Sequence, residues 1–283
     1  MPIIPAIGQG GLPCLDLSNR HGTARIYRHG AHVTSWCPTG GSEVLWMSSR
    51  SWFEAGKPIR GGIPVCFPWF GGHPTDKTKP AHGFARLRRW DLLRQQEGNE
   101  TEVVLGLGDD ADSRALWPHA FRAELSLRLG PALTVALSIT NTGSAPITFS
   151  EALHTYLGVA DIATTTVDGL QGGAYDDRAG GGSVARVDDA PRVSFTAETD
   201  RLYCGQAGPH VVDDGQRRIR VAKDGAKSTV VWNPWIAKAA AMPDYGDREW
   251  PGMVCVEAAN AAADSVTLAA GATHRCATVL TLC

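Results

Sequence analysis

The sequence has no long apolar run, no excess of basic charge and no paired cysteine motif. No stretch is long and apolar enough to span a bilayer, and residues 1–17 lack the basic start and apolar run of a secretory signal. A formal net charge of -2 offers nucleic acid or an anionic membrane no general attraction. The seven cysteines are odd in number and include no C-x-x-C, which argues against a disulfide framework. We therefore expect a cytoplasmic protein with reduced thiols that binds neither nucleic acid nor membrane.

Common catalytic and cofactor motifs are also missing. The chain contains no G-x-x-x-x-G-K-[ST] loop for nucleotide phosphates, no H-E-x-x-H metal motif and no G-x-S-x-G nucleophile turn. The nine histidines are scattered, without a tight ligand spacing beside acidic residues. We expect a protein that needs no metal and no other cofactor.

Alternation of apolar and polar residues dominates the sequence. Residues 123–129 and 133–140 each place leucine, valine, isoleucine or alanine at every second position around a Gly-Pro turn, which predicts a hairpin. Short apolar runs typical of buried strands occur at 103–107, 230–232, 253–256 and 277–282. Residues 236–242 give the best helical fragment. The pattern predicts an all-β fold, a large antiparallel β-sandwich with a few short helices, formed by one domain over residues 1–283.

The densest unusual segment is 57–90, which combines paired glycines, prolines and aromatic residues. Glycine pairs allow a close approach of backbone to ligand, and prolines hold loops rigid. Arg60 and Arg86 flank these loops, and a guanidinium can bind two phosphate oxygens at once. The alternative is an exposed arginine beside a turn, as most arginines are.

Acidic and histidine residues follow several predicted strands. Glu151 is out of phase with His154, so we expect them on different faces of their strand. Glu257 ends an apolar strand, where an unpaired buried carboxylate would be costly. It lies either at a strand mouth in water or in a functional pocket. Asp200 and Arg201 are compatible with a turn that contains a local salt bridge.

Taken together, these segments resemble the hexose-6-phosphate mutarotases, or glucose-6-phosphate 1-epimerases, within the aldose 1-epimerase superfamily. The resemblance spans nearly the whole chain and rests on these segments, in chain order: R-G-G-I-P-V-C-F-P-W-F-G from Arg60, H-G-F-A-R from His82, L-H-T-Y from Leu153, T-D-R from Thr199, W-N-P-W from Trp232 and V-C-V-E from Val254. One departure is the run Ala258-Ala259-Asn260, where a Pro-Gly-like turn is expected.

The resemblance implies a galactose-mutarotase-like β-sandwich with an open sugar site and a cofactor-free isomerase that interconverts the α and β anomers of a hexose 6-phosphate. It also implies the roles of the site residues, which are as follows: His154 as general acid, Glu257 as general base, His82 as a helper at the ring oxygen, Asp200 as a hydroxyl ligand, Arg60 and Arg86 as phosphate ligands, and Lys238 as a weaker phosphate candidate. We expect a monomer whose partner is a small-molecule hexose 6-phosphate.

Anomerisation needs a proton removed from the C1 hydroxyl and a proton given to the ring oxygen. We expect a carboxylate and an imidazole on opposite sides of the ring, with Glu257 ionised and His154 protonated, because their ordinary pKa values of ~4.3 and ~6.5 allow that pair. Two alternatives remain open. An epimerase for unphosphorylated aldoses would not need Arg60 and Arg86, and a non-catalytic sugar-phosphate-binding protein would not need the proton-transfer residues.

Overall fold

The computed structural model describes residues 2–283, and strands dominate it. In chain order the strands are β1 (Ile3–Ile7), β2 (Pro13–Asn19), β3 (Gly22–Tyr27), β4 (His32–Pro38), β5 (Val65–Cys66), β6 (Asp91–Gln96), β7 (Thr101–Gly108), β8 (Phe121–Leu129), β9 (Leu133–Asn141), β10 (Ile147–Phe149), β11 (Glu151–Leu153), β12 (Tyr156–Gly158), β13 (Thr166–Asp168), β14 (Ala174–Asp177), β15 (Val184–Val187), β16 (Val193–Ser194), β17 (Thr199–Tyr203), β18 (His210–Asp213), β19 (Arg218–Asp224), β20 (Ser228–Asn233), β21 (Met253–Asn260), β22 (Val266–Leu268) and β23 (Thr273–Leu282). The α-helices are α1 (Ala111–Leu116) and α2 (Trp235–Ala241).

Two large antiparallel sheets form the body of the molecule. The nine-stranded sheet has the order β16-β13-β18-β19-β23-β9-β8-β7-β6. The eight-stranded sheet has the order β15-β14-β17-β20-β21-β11-β5, with β12 also paired to β21. A four-stranded sheet, β1-β2-β3-β4, and the pair β10-β22 complete the fold. The predicted all-β sandwich with a few short helices is confirmed.

The alternating pattern places the core between the two large sheets. In β8 the side chains of Leu125 and Leu127 are buried on the inner face, and Val254 and Val256 of β21 belong to the same apolar cluster. Because side chains alternate along a strand, the residues on either side of Val256 in β21 face away from this core. Glu257 is one of these, and it lines a cavity on the outer face of the eight-stranded sheet.

The local predictions are confirmed where alternation is strong. The hairpin at 123–140 is β8 and β9, paired from Phe121 with Asn141 to Leu129 with Leu133. The helical fragment at 236–242 is α2, displaced by one residue. Helix α1 was not expected; Asp110 caps it by accepting from the backbone N–H of Ser113 at 2.7 Å. Within residues 2–283 no helix is long and apolar enough to cross a membrane.

The expected turn after Glu257 is not present. Strand β21 continues through Ala258 and Ala259 to Asn260, paired with both β11 and β20. The Asn260 amide donates to the Gly225 carbonyl at 2.9 Å and to the Glu151 carboxylate at 3.1 Å. These contacts keep the segment in the sheet, so that Glu257 lies within a paired strand, which holds its backbone in place.

Candidate active site

A cavity of about 570 Å³ lies on the outer face of the eight-stranded sheet. It brings together every site residue named from the sequence, which are Arg60, His82, Arg86, His154, Asp200, Lys238 and Glu257. These residues come from distant parts of the chain, on β17, β21 and α2 and on the segments around β5 and β11. The sequence shows the order of these segments along the chain, but only the fold brings them together.

His154 and Glu257 lie side by side on the floor of the cavity. Glu257 is fully buried on β21 opposite Val230, and His154 directly follows β11, where its backbone N–H donates to the Pro64 carbonyl at 3.0 Å. The His154 Nδ1 and Glu257 Oε1 atoms are 3.3 Å apart. They are not aligned for a hydrogen bond, and neither Nδ1 nor either carboxylate oxygen has a partner among residues 2–283. Unpartnered buried polar atoms are costly, so a polar ligand is expected here.

This geometry decides two points that the sequence left open. Glu257 is buried and lines a pocket, and it does not lie at a strand mouth in water. Glu151 faces away from His154, since its carboxylate bonds to His274 Nε2 at 2.7 Å. The expectation of a carboxylate and an imidazole on opposite sides of a sugar ring is wrong, because 3.3 Å leaves no room for a ring between them.

Burial favours the neutral forms of both groups. Burial raises the pKa of Glu257 well above its usual value, and the negative charge of Asp200 adds to this. Burial lowers the pKa of His154 well below its usual value, and the positive charges of Arg60 and Arg86 add to this. In the free cavity burial therefore favours a neutral pair, with the proton on the carboxyl group, over the ion pair expected from ordinary pKa values.

His82 is held as a hydrogen-bond donor. Its backbone N–H donates to the Gly71 carbonyl at 2.6 Å, and its Nδ1 accepts from the Gly71 N–H at 3.2 Å. Burial lowers the pKa of His82 well below its usual value, so the ring is neutral and its single proton is on Nε2. Gly83 makes this position possible, because a Cβ there would lie 2.0 Å from the Phe67 carbonyl oxygen.

The two arginines differ in how well they are paired. The Arg60 guanidinium forms an ion pair with Asp244 at 3.0 Å and donates to the Tyr156 hydroxyl at 3.1 Å. Arg86 is only 8% exposed, donates from Nη2 to the Ala81 carbonyl at 2.8 Å and has no partner for Nε. Burial lowers the Arg86 pKa from its usual value. A buried guanidinium without a carboxylate partner is an anion site by its chemistry.

A row of alternating charges borders the other side of the cavity. Lys238 Nζ is 2.8 Å from a Glu198 oxygen and 3.7 Å from an Asp200 oxygen. Its charge is thus compensated by carboxylates, which makes it a poor phosphate ligand. Asp200 lies within β17 and not in a turn, and Arg201 pairs with Asp188 at 3.0 Å, outside the set that lines the cavity.

Sequence reasoning missed the hairpin between β14 and β15. Three residues in and beside the glycine-rich stretch 176–182 line the cavity, namely Asp176, Arg178 and Ser183. Asp176 accepts from Arg178 Nε at 2.8 Å and from the Ser183 hydroxyl at 2.6 Å. The signal in the sequence that could have identified this part of the site is an acidic and a basic residue, Asp176 and Arg178, just before a glycine run. Only sheet pairing shows that β14 lies beside β17 and brings this turn to Asp200.

Comparison with known proteins agrees with this architecture. A family model described as Aldose 1-epimerase matches residues 13–281. A Cenchrus ciliaris protein provisionally named glucose-6-phosphate 1-epimerase is 36% identical over 252 residues, which cover 85% of this chain and 75% of that protein. An Escherichia coli (strain K12) protein with the same provisional name is 34% identical over 265 residues, covering 92% of this chain and 88% of that protein.

A solved structure shows the same fold along the whole chain. The crystal structure of a provisionally assigned mutarotase from Salmonella typhimurium superposes with a TM-score of 0.91 at 28% identity, covering 99% of this chain and 96% of that one. The mutarotase-like sandwich is therefore confirmed. The chain belongs to the aldose 1-epimerase family.

Proposed function

We propose that this protein is an isomerase that interconverts the α and β anomers of glucose 6-phosphate and related hexose 6-phosphates. The observation that carries the proposal is the buried, unpartnered His154–Glu257 pair, 3.3 Å apart, in the same cavity as the buried guanidinium of Arg86. The provisional names of the relatives from Cenchrus ciliaris and Escherichia coli support the same substrate class.

The adjacent pair suits the chemistry at the anomeric carbon. The C1 hydroxyl oxygen and the ring oxygen are both bonded to C1, so the groups that serve them must be neighbours. The base removes the hydroxyl proton while the bond from C1 to the ring oxygen breaks, and the acid protonates the ring oxygen. Rotation about the bond between C1 and C2 turns the aldehyde, and the reverse proton transfers close the ring on the other face. No metal or other cofactor takes part in these steps.

We assign Glu257 as the base at the C1 hydroxyl and His154 as the acid at the ring oxygen. The reactive form, with ionised Glu257 and protonated His154, differs from the neutral pair by one proton transfer. A hydrogen bond from the C1 hydroxyl to the carboxylate favours this form. The Nε2–H of His82 is a second donor for the ring oxygen, which fits a helper role.

The arginines lie where a C6 phosphate is expected. C6 is attached to C5, which also bears the ring oxygen, so the phosphate lies on the side of the ring that faces the general acid. Arg60 and Arg86 line the same cavity as His154, and their positive charges help to lower its pKa, which supports a phosphate on that side. Because Asp244 already compensates Arg60, Arg86 is the main phosphate ligand. Asp200, Lys238 and Arg178 then face the remaining hydroxyls.

The structure argues against both alternatives. An epimerase for unphosphorylated aldoses gains nothing from a buried guanidinium such as that of Arg86, which lacks a carboxylate partner. A binding protein gains nothing from a buried acid–base pair whose atoms are unpartnered. The test is mutarotation of glucose 6-phosphate and of free glucose, starting from pure α anomers. We expect fast exchange of the phosphosugar and little of glucose; equal rates would contradict the phosphate assignment, and no rate above buffer would contradict catalysis.

Replacing Arg86 by Met should lower kcat/KM for glucose 6-phosphate about ten- to a hundredfold. Hydrogen bonds to charged groups are worth ~1.5–3 kcal/mol each, at ~1.4 kcal/mol per tenfold. Any weak activity on free glucose should be unchanged. Stability should not fall, since the variant removes a buried and unpaired charge. Kinetics on both sugars and a thermal melt provide the measurement.

Arg60→Met is the matched comparison. It should also weaken phosphosugar turnover, but it leaves the buried Asp244 without its partner and should lower the melting temperature. Equal losses of Arg86→Met on both sugars would show that Arg86 supports the loop and does not bind phosphate.

We expect kcat to be constant across neutral pH. Turnover needs one proton on the His154–Glu257 pair, and burial raises the pKa of Glu257 and lowers that of His154. The pair therefore keeps one proton from the lowered His154 pKa up to the raised Glu257 pKa, and activity falls only outside this interval. A pH profile at saturating substrate measures this. A narrow optimum between the ordinary values of ~4.3 and ~6.5 would contradict the shifts.

A further inference from the structure

A third potential ligand lies beside the acid–base pair. Cys255 and Glu257 are two residues apart on β21 and so share its outer face, and Cys255 pairs with Tyr156, two residues from His154. The ligand atoms of His154, Cys255 and Glu257 all lie within 4.8 Å of one another, and all three residues are buried. The proposed epimerase reaction has no use for the Cys255 thiol.

The three atoms form a donor set that suits a borderline-soft divalent ion. An imidazole nitrogen, a thiolate and a carboxylate oxygen are the ligands that Zn²⁺ prefers, at about 2.0–2.3 Å from the ion. In a tetrahedral site the ligand atoms lie about 3.3–3.8 Å apart. Small side-chain rotations would bring the three ligand atoms from their present separation to this distance. His154 Nδ1 and both Glu257 oxygens have no partner within residues 2–283 that an ion would have to displace. His154 and Glu257 also line the cavity, from which a fourth ligand can reach the ion.

Charge balance also permits an ion here. The positive charges of Arg60 and Arg86 act on His154, so an added dication would be repelled unless the site becomes more negative. Binding of M²⁺ releases the thiol proton of Cys255 and the proton held by the His154–Glu257 pair. Two positive charges arrive and two protons leave to solvent, so the net charge of the site does not change.

We propose that Zn²⁺ and similar divalent transition ions bind to His154, Cys255 and Glu257 and inhibit the enzyme. The bound ion occupies the acid and the base together and therefore stops proton transfer. The site is thus inhibitory and is not a cofactor site. The inhibition part rests on the proposed epimerase function, whereas the binding part does not.

The binding test uses Co²⁺ as a spectroscopic probe on the full chain after removal of metals by a chelator. We expect one Co²⁺ per chain and a near-ultraviolet charge-transfer band from thiolate to cobalt. Cys255→Ala should lose the band. Cys66→Ala is the matched control, since Cys66 is also buried at the site, with Sγ 3.5 Å from His82 Nδ1, but lies outside the cluster. A band that survives in Cys255→Ala, or is absent from the parent, would overturn the site.

The inhibition test follows mutarotation of glucose 6-phosphate during titration with Zn²⁺. The parent should be fully active after chelation, lose activity with Zn²⁺ and recover it with excess chelator. Cys255→Ala should be as active as the parent when no metal is present. Its inhibition constant for Zn²⁺ should rise by at least ~10–100-fold, which is the loss of metal affinity caused by removing an outer-shell partner. Undiminished inhibition of Cys255→Ala would contradict the proposal. Cys255→Ser serves if the alanine variant does not fold. Cobalt binding without any mutarotation would refute the epimerase function alone.

Discussion

Glu257→Gln is expected to fold, bind hexose 6-phosphate and lose about 10²–10⁴-fold in kcat. Glutamine is nearly isosteric with glutamate but cannot accept the proton of the C1 hydroxyl. The variant should be no less stable than the parent. Burial favours the neutral form of the parent carboxyl group, and glutamine is also a neutral buried group. Exchange rates at saturating substrate and a chemical unfolding curve are the two measurements.

Glu151 provides a matched control for this experiment. It is a second fully buried glutamate in the same sheet, but its carboxylate faces away from the cavity and bonds to His274 and Asn260. Glu151→Gln should change stability and leave kcat close to that of the parent. A Glu257→Gln enzyme that is as fast as the parent would eliminate Glu257 as the base.

His154→Asn should lower kcat by a similar factor of about 10²–10⁴. Asparagine keeps a polar group in the site but has no basic nitrogen to carry the proton to the ring oxygen. The imidazole stacks on the Tyr156 ring, with centroids 4.7 Å apart, so a part of any loss in stability reflects packing. The kinetic loss must therefore be measured on protein shown to be folded.

The comparison with His82→Asn tests the assignment of the acid. His82 already uses Nδ1 to accept from Gly71, so it can only donate a hydrogen bond from Nε2. We expect His82→Asn to be clearly less impaired than His154→Asn. If His82→Asn proves the more damaging change at equal stability, then His82 and not His154 is the acid.

The sequence by itself determined the fold class, the strands with strong alternation and the order of the site motifs. Alternation in 123–129 and 133–140 is a local signal, because the side-chain period of a strand is independent of its partners. The motif residues His154, Glu257 and Arg86 carried the resemblance to the epimerases, and the cavity contains all three.

Tertiary structure alone decided how these residues are paired. Arg60 meets Asp244 and Lys238 meets Glu198 across long separations in sequence, so no local pattern reports that one charge is compensated while that of Arg86 is not. The turn that carries Arg178 reaches the site only because β14 pairs with β17.

The protonation state of the catalytic pair is also determined by the tertiary structure. Residue types alone predicted an ionised Glu257 and a protonated His154, since ordinary pKa values describe groups in water. The packing of the strands buries both groups at the cavity floor, 3.3 Å apart. The loss of solvent there favours their neutral forms. Burial depends on which strands pack together, and for that reason it could not be read from the order of residues.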